Sequence, residues 1–122
     1  MTVQALELGG LLAVAWPTDG APLSTDRDAG DLVGAAFSHE ARLVILPAAN
    51  LSPDFLRLAS GLAGDMLQKF VNYGLRVVIV GDISPALKQS APLRDFVRES
   101  NRGRQVWFVA DLSELETRLA TG

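Results

Sequence analysis

Ser60, Gly61 and Leu62 place a hydroxyl group directly before a segment with the periodicity of an amphipathic helix. The Ser60 hydroxyl can accept a hydrogen bond from a backbone N–H of the first helical turn, as an N-cap does. It can also accept a phosphate group, because the positive end of a helix tolerates added negative charge and a partner would then meet a new dianion. A capping serine can serve both purposes, so the sequence leaves both interpretations of Ser60 open.

A later predicted helix, over residues 93–101, gathers basic and polar residues toward its end. These residues are Arg98, Ser100, Asn101, Arg102 and, just beyond the helix, Arg104. Cations at this position complement the negative end of the helix dipole and pair with acids one turn away, which is the structural interpretation. Guanidinium groups also suit phosphate, so the set is a candidate site for a phosphate group or an acidic partner surface. Gly103 is predicted to end the helix in a left-handed conformation.

Polar residues also occupy the loops that follow the predicted parallel strands, where ligands of open α/β sheets collect. These loops contain Asn50, Ser52, Asp82, Ser84, Asp111 and Ser113. Asp82 and Asp111 could hold a divalent cation or act as an acid and base pair. Turn formation and helix capping explain each residue individually. We therefore carry Asn50, Ser52, Gly61 and Asp82 forward as candidate ligand or partner contacts, without a catalytic role.

The sequence supplies little else for catalysis or metal binding. The single histidine, His39, has no second histidine with which to share a metal, and we expect it to be solvated. Without cysteine the chain has neither a disulfide framework nor a thiolate metal site. It also lacks the Gly-x-Ser-x-Gly turn of serine hydrolases and a glycine-rich Walker loop. We predict no catalytic residue, no metal and no cofactor, and we favour a non-enzymatic role over an enzyme.

Short apolar runs and helical periodicities alternate along the chain. Gly9 and Gly10 separate two β-prone runs, which predicts an antiparallel hairpin. Strands are predicted over residues 3–8, 11–16, 43–46, 75–80 and 105–109. Helices are predicted over 62–73, 93–101 and 112–120, and a first helix is predicted to begin at a cap on Ser24 or Thr25, with its apolar face between Ala29 and Phe37. Alternation of this kind predicts a mixed, centrally parallel sheet flanked by helices, in one α/β domain covering residues 1–122.

The first two predicted helices each carry an apolar face. In the first helix, with a cap at Ser24 or Thr25, this face is predicted to pack on the sheet. Its members are Ala29, Leu32, Val33, Ala36 and Phe37. Met66 and Phe70 belong to the apolar stripe of the helix that follows Ser60, and we predict that this stripe is core rather than a ligand pocket.

Composition indicates an ordinary globular domain. The chain has 122 residues, of which 48% are hydrophobic, and a formal net charge of −3. Nucleic acid is not expected as a partner, because the charge is negative and neither tryptophan is placed among the arginines. The sequence has no apolar stretch long enough to span a bilayer and no recognisable signal peptide, so we expect a cytoplasmic protein without a membrane partner.

The order of two leading strands, a helix, a strand, and a connection ending in Ser60, Gly61 and Leu62 resembles that of STAS domains. The similarity spans about residues 42–82. This family includes bacterial anti-sigma-factor antagonists, in which the serine before Gly-Leu accepts phosphate, so the resemblance implies a phosphoserine switch at Ser60. The chain has Leu58 and Ala59 where those proteins carry an aspartate and a further serine.

Six segments of the chain resemble a second family. They are Leu-Ser-Pro-Asp-Phe at 51–55, Gly-Leu-Ala-Gly at 61–64, Gln-Lys-Phe-Val-Asn-Tyr at 68–73, Val-Gly-Asp at 80–82, Leu-Arg-Asp-Phe at 93–96 and Glu-Ser-Asn-Arg-Gly at 99–103. Together they resemble the bacterial domain of unknown function family 4180, over most of the chain. This resemblance implies a fold and no reaction, cofactor or catalytic residue.

These observations predict a non-enzymatic regulatory or protein-interaction domain that uses the start of the helix after Ser60 and the adjoining loop as its binding surface. The sequence does not identify the protein partner. A homodimer is also predicted, from the high apolar fraction and from the strand edge of the leading hairpin. The alternative is a small-molecule or phosphate-binding domain, or a weak enzyme, with its site at the strand ends near Asp82 and Arg102.

Overall fold

A β-hairpin opens the chain, as the two glycines predict. In the computed structural model, which describes residues 3–18, 22–23, 26–57 and 60–121, strand β1 (Gln4–Leu8) pairs antiparallel with β2 (Leu11–Ala15). Gly9 and Gly10 have φ angles of 54° and 83°. Positive φ at both central residues is what a type I′ turn requires, and the twist of that turn matches the twist of the strands.

Three further strands continue the sheet in the order of the chain, so that its order is β1-β2-β3-β4-β5. They are β3 (Leu43–Pro47), β4 (Arg76–Val80) and β5 (Val106–Val109), and each is parallel to its neighbours. Val44, in the middle strand, pairs with Val14 on one side and Val77 on the other. The predicted fold class, a mixed and mainly parallel α/β sheet with a leading hairpin, is confirmed.

Helices connect the parallel strands, and a further helix follows β5. They are α1 (Asp26–Ser38), α2 (Pro53–Leu56), α3 (Leu62–Asn72), α4 (Ser84–Gln89), α5 (Ala91–Arg102) and α6 (Leu112–Thr121), with a 3₁₀ turn at Ala48–Asn50. Strands that follow one another across a sheet, joined by crossovers of one hand, place the connecting helices on the same face. The predicted cap of α1 at Ser24 or Thr25 lies outside the described residues. No helix in the described part of the chain is long and apolar enough to cross a bilayer.

The main core lies between the sheet and the helices α1, α3, α4 and α5. Met66 and Phe70 of α3 are almost completely buried, which confirms the prediction that this stripe is core. Burial of a side chain of this size contributes about 1.5 to 3 kcal/mol. Phe37 was predicted on the packed face of α1, and this is wrong because 55% of it is exposed. Its direction lies about 80° from that of Ala29 around the helix axis, at the rim of the apolar face.

The second face of the sheet packs against α6. Its core contains Leu43, Ile45 and Val78 from the sheet, and the helical residues of this core, Leu115 and Leu119, both belong to α6. Leu119 reaches the hairpin turn, where a Cβ atom added to Gly9 would lie 3.0 Å from the Leu119 Cβ. The last helix therefore crosses the sheet from the end of β5 to the turn between β1 and β2.

Candidate functional site

Ser60 lies exposed at the start of α3. Its Oγ accepts a hydrogen bond from the Leu62 N–H at 3.2 Å and donates one to the Arg57 carbonyl oxygen at 2.8 Å. Gly61 lies between them with φ 78° and ψ −8°. The predicted hydrogen bond from the Leu62 N–H to Ser60 Oγ is thus confirmed, although Gly61 rather than Ser60 occupies the N-cap position, and phosphorylation of the hydroxyl stays a prediction.

A cleft of about 430 Å³ adjoins Ser60. It is lined by Pro53, Leu56, Arg57, Ala86, Gln89, Ser90 and Pro92, and we call it the α2–α4 cleft. The Arg57 carbonyl oxygen accepts from both the backbone N–H and the hydroxyl of Ser60. The candidate phosphate acceptor is therefore bonded directly to a residue in the wall of the cleft.

Asn50 and Ser52 are buried at the loop that follows β3, where they hold neighbouring segments in place. The Asn50 side-chain Nδ2 donates to the Thr18 carbonyl oxygen at 3.2 Å, and its backbone oxygen accepts from the Leu23 N–H at 2.7 Å. Ser52 Oγ accepts from the Phe55 N–H at 3.3 Å and so caps α2. These contacts join the end of β3 to the segment before α1.

Asp82 is exposed after β4 and accepts a hydrogen bond from the Ser84 N–H at 2.8 Å. Hydrogen bonds from the Ser84 hydroxyl and backbone lower the pKa of Asp82 below its ordinary value. Asp111 accepts from the Glu114 N–H at 2.8 Å in the same way, at the start of α6. Asp82 thus closes a turn directly before α4 and Asp111 caps α6, and among the described residues no three acidic or histidine side chains come together as a metal site.

The basic and polar residues predicted at the end of α5 do not form one site, because some form surface ion pairs and another binds the backbone of β5. Arg98 pairs with Asp95 at 2.7 Å and Arg102 with Glu99 at 3.4 Å, and Ser100 is half-buried beside them. Asn101 Oδ1 instead accepts from the Phe108 N–H at 2.7 Å, which satisfies a backbone donor of the outer strand β5.

Gly103 does not leave α5 in the left-handed conformation, so that prediction is wrong. Its φ of −87° and ψ of −162° are extended, because the chain passes almost directly into β5. Arg102 therefore lies where β5 begins, whereas Asp82 lies where the parallel strand β4 ends. The structure places these two residues at opposite ends of the parallel strands and does not bring them together.

Trp107 forms a contact with two arginines that sequence reasoning missed. The guanidinium carbons of Arg76 and Arg118 lie 4.4 and 4.0 Å from the centre of the indole ring. The Trp107 indole N–H donates to the Gly103 carbonyl oxygen at 2.8 Å. Neither tryptophan lies among the arginines in the sequence, but in the folded structure Trp107 lies between two of them, so that prediction is wrong for the folded protein. Strand alternation is the signal that could have found it, because Trp107 pairs with Val78, two residues after Arg76.

A second missed feature is an exposed aromatic pair. Phe37 and Tyr73 are 55% and 51% exposed, and their rings meet edge to face at 5.8 Å where α1 and α3 end. They line a groove of about 570 Å³ that also includes Glu40, whose φ of 55° is left-handed. Apolar periodicity predicts that Phe37 is packed, so only the three-dimensional structure reveals the exposure of this pair.

A known protein family matches this chain over most of its length. Residues 11–119 match the family described as "Domain of unknown function (DUF4180)". No match was found among curated proteins, and none among solved structures. The resemblance to STAS domains stays a prediction. Since the match covers most of the 122 residues, the chain belongs to the DUF4180 family, as its six sequence segments indicate.

Proposed function

We propose that this protein is a non-enzymatic regulatory domain that binds another protein at the start of α3 and the α2–α4 cleft, and that phosphorylation of Ser60 changes this binding. The observation that carries the proposal is the pair of hydrogen bonds from Ser60 to the Arg57 carbonyl oxygen, in the wall of the cleft. A change at the hydroxyl is thereby transmitted to the binding surface.

Phosphorylation would act through this contact in two ways. The phosphorylated Oγ has no proton, so it cannot donate to the Arg57 carbonyl oxygen as the hydroxyl does. The added dianion would instead be stabilised by the N–H groups at the start of α3, including that of Leu62. Loss of this bond would shift the Arg57 carbonyl oxygen, and a partner in the cleft would meet a changed wall and a new negative charge.

The lining of the cleft suits a short apolar segment of a protein. Pro53, Leu56, Ala86 and Pro92 supply aliphatic surface, while Gln89 and Arg57 supply polar groups at its rim. The alternative, a small-molecule site near Asp82 and Arg102, has less support because those residues lie at opposite ends of the parallel strands. We further propose a cytoplasmic location and a homodimer, the latter supported by β1, which lies at one edge of the sheet.

The test compares Ser60→Asp with Ser60→Asn. Both variants keep an oxygen that can cap α3, and only the aspartate adds charge. Tagged forms of both, and of the wild type, are used to recover binding proteins from the native cell, with quantitative mass spectrometry of the proteins and of Ser60 itself. We expect one protein whose recovery differs about tenfold between the two variants, a change of about 1.4 kcal/mol. Equal recovery of every bound protein by both would refute the switch.

A second pair of variants tests the cleft. Ala86→Glu introduces a charge into the lining of the cleft, and Ala35→Glu introduces the same charge at a half-buried alanine of α1 outside it. The protein identified with the Ser60 variants should be lost with Ala86→Glu and kept with Ala35→Glu. Loss with both, or with neither, would show that the α2–α4 cleft is not the binding surface.

A further inference from the structure

We infer that β1 is the dimer interface of this protein, and that it pairs antiparallel with β1 of a second copy in a register centred on Leu6. The inference rests on the homodimer proposed above, to which it adds the surface, the register and the residue pairs. It is independent of the switch at Ser60, because Ser60 lies at the start of α3 and outside the hairpin. In this dimer the two five-stranded sheets form one continuous sheet.

The outer side of β1 carries backbone groups that no strand of the described sheet pairs. In a hairpin with a two-residue turn, the residues next to the turn exchange both hydrogen bonds, and the next pair, Glu7 and Leu12, turns its backbone groups away from the hairpin. This alternation is visible on β2, where the Leu12 carbonyl oxygen accepts from the Arg42 N–H, directly before β3, at 3.0 Å. On β1, the N–H and C=O groups of Glu7 and Ala5 therefore point outward.

The opposite edge of the sheet is blocked by a side chain. Its outer strand is β5, and Asn101 Oδ1 accepts from the Phe108 N–H at 2.7 Å. No described side chain covers β1 in this way, and β1 contains neither proline nor lysine, which commonly prevent pairing at edge strands. Because β1 is the open edge of the described sheet in every copy, a second copy extends the sheet through its own β1. Such pairing is closed by a two-fold axis and gives a dimer.

One register pairs all five residues of β1 with the five of a second copy. A two-fold axis at Leu6 places Ala5 opposite Glu7 of the second copy, Gln4 opposite its Leu8, and Leu6 opposite its own counterpart. Ala5 and Glu7 carry the outward backbone groups, so each pair that they form exchanges both N–H···O bonds. An axis at Glu7 would set two carboxylates directly opposite one another, which destabilises a sheet, and would leave part of each strand unpaired.

Side-chain packing favours the same register. Leu6 is half-buried and packs against the core that α6 covers, so two Leu6 side chains that meet at the axis join the second cores of both copies. On the other face, Ala5 lines a cavity of about 250 Å³ together with Leu12 and His39. Glu7 of the second copy lies opposite Ala5, where this cavity gives its longer side chain room.

Single cysteine variants test the register, because the wild-type chain contains no cysteine and any disulfide must join two copies. With the axis at Leu6, the Cα atoms of the two Leu6 residues lie about 4.5 Å apart, within the range of a disulfide bond. Gln4 lies on the same face and is more exposed than Leu6, but two Gln4 residues would lie more than about 13 Å apart. We expect mild oxidation to capture Leu6→Cys as a covalent dimer at least about tenfold faster than Gln4→Cys, as read from non-reducing gels.

Sedimentation of the wild-type protein separates failure of the homodimer from failure of this interface. We expect a dimer. A monomer at every concentration up to about 0.1 mM would overturn both, and would leave the β1 edge to a strand of another protein. A dimer in which Leu6→Cys is captured no faster than Gln4→Cys, or in which Ala5→Cys or Glu7→Cys is captured fastest, would overturn this register and leave the homodimer standing.

A second pair of variants tests the backbone hydrogen bonds. Ala5→Pro removes the outward N–H, which pairs with nothing in the hairpin, whereas Ala5→Ser changes the side chain and keeps that N–H. We expect Ala5→Pro to raise the dissociation constant of the dimer by about tenfold or more and Ala5→Ser to change it by less than about twofold, with circular dichroism as the check on folding. Equal dissociation constants for the two variants would show that the Ala5 N–H takes no part, and would overturn the pairing.

Discussion

Replacing Gly81 by alanine tests the packing at the end of β4, directly before Asp82. Gly81 has a φ of 139°, which side chains rarely adopt, and an added Cβ atom would lie 2.7 Å from the Ala48 Cβ. The backbone strain costs about 1 to 3 kcal/mol, and the overlap about 1 to 3 kcal/mol more. We therefore expect Gly81→Ala to lower the free energy of unfolding by roughly 2 to 6 kcal/mol, a large share of the stability of a small domain.

A second substitution separates the two causes. Ala48→Gly removes the Cβ atom that the new methyl group would strike, and leaves the strained φ of residue 81 as it was. Alone, it should cost about 0.5 to 1 kcal/mol through added chain entropy. In the double variant we expect about 1 to 2 kcal/mol of the overlap cost to be recovered, as a coupling between neighbouring sites.

The assay is equilibrium unfolding in urea followed by tryptophan fluorescence, with the slope of the transition checked for constancy among variants. Gly10→Ala is the control for strain alone, because Gly10 has a φ of 83° and no atom within 4 Å of an added Cβ. It should cost about 1 kcal/mol. If Gly81→Ala costs no more than Gly10→Ala, or if Ala48→Gly recovers nothing, the close approach is not what requires glycine here.

Two further substitutions test the helix ends. Glu40→Gly should raise the free energy of unfolding by about 0.5 to 1 kcal/mol, because Glu40 has a φ of 55° at the end of α1, where glycine is unstrained. Gly74→Ala, at the matching end of α3 with φ 75°, should lower the free energy of unfolding. A lower free energy of unfolding for Glu40→Gly would contradict the argument. The hydrogen bonds from Ser84 lower the folded-state pKa of Asp82 below its ordinary value of 3.8. The Asp82 carboxylate therefore stabilises the fold above about pH 3.8, and this stabilisation is lost as the pH falls through the folded-state pKa. Asp82→Asn should therefore flatten the fall of unfolding free energy in acid, measured by urea titrations between neutral pH and pH 2, and an unchanged slope would show that Asp82 does not contribute.

Local sequence signals predict most of the fold. Gly9 and Gly10 specify their turn through backbone conformation alone. The strands and main helices begin and end within about three residues of the predicted positions, because apolar periodicity is a local property of the sequence. The helix α4 was not predicted, since it is six residues long and has too few turns to show a period.

The candidate sites depend on contacts between distant residues, and sequence patterns predict these less well. The hydrogen bond from the Leu62 N–H to Ser60 Oγ is local and is confirmed, whereas the position of Ser60 beside the α2–α4 cleft depends on how α2 packs near α4. Trp107 lies on a strand and Arg118 on a helix, and the spacing of residues in the sequence does not predict the angle at which these two elements cross. Phe37 was misplaced because periodicity gives the direction of a side chain but not the extent of the surface that covers it.

The crossing of α6 over the second face of the sheet also bears on how the chain folds during synthesis. Leu43, Ile45 and Val78 are translated well before Leu115 and Leu119, the helical residues that cover them. Until α6 has left the ribosome, that face of a partly formed sheet is exposed apolar surface, which makes such intermediates prone to aggregate. This face of the sheet is therefore covered only when α6 reaches back to the hairpin turn, and chaperones have their greatest opportunity to bind before that moment.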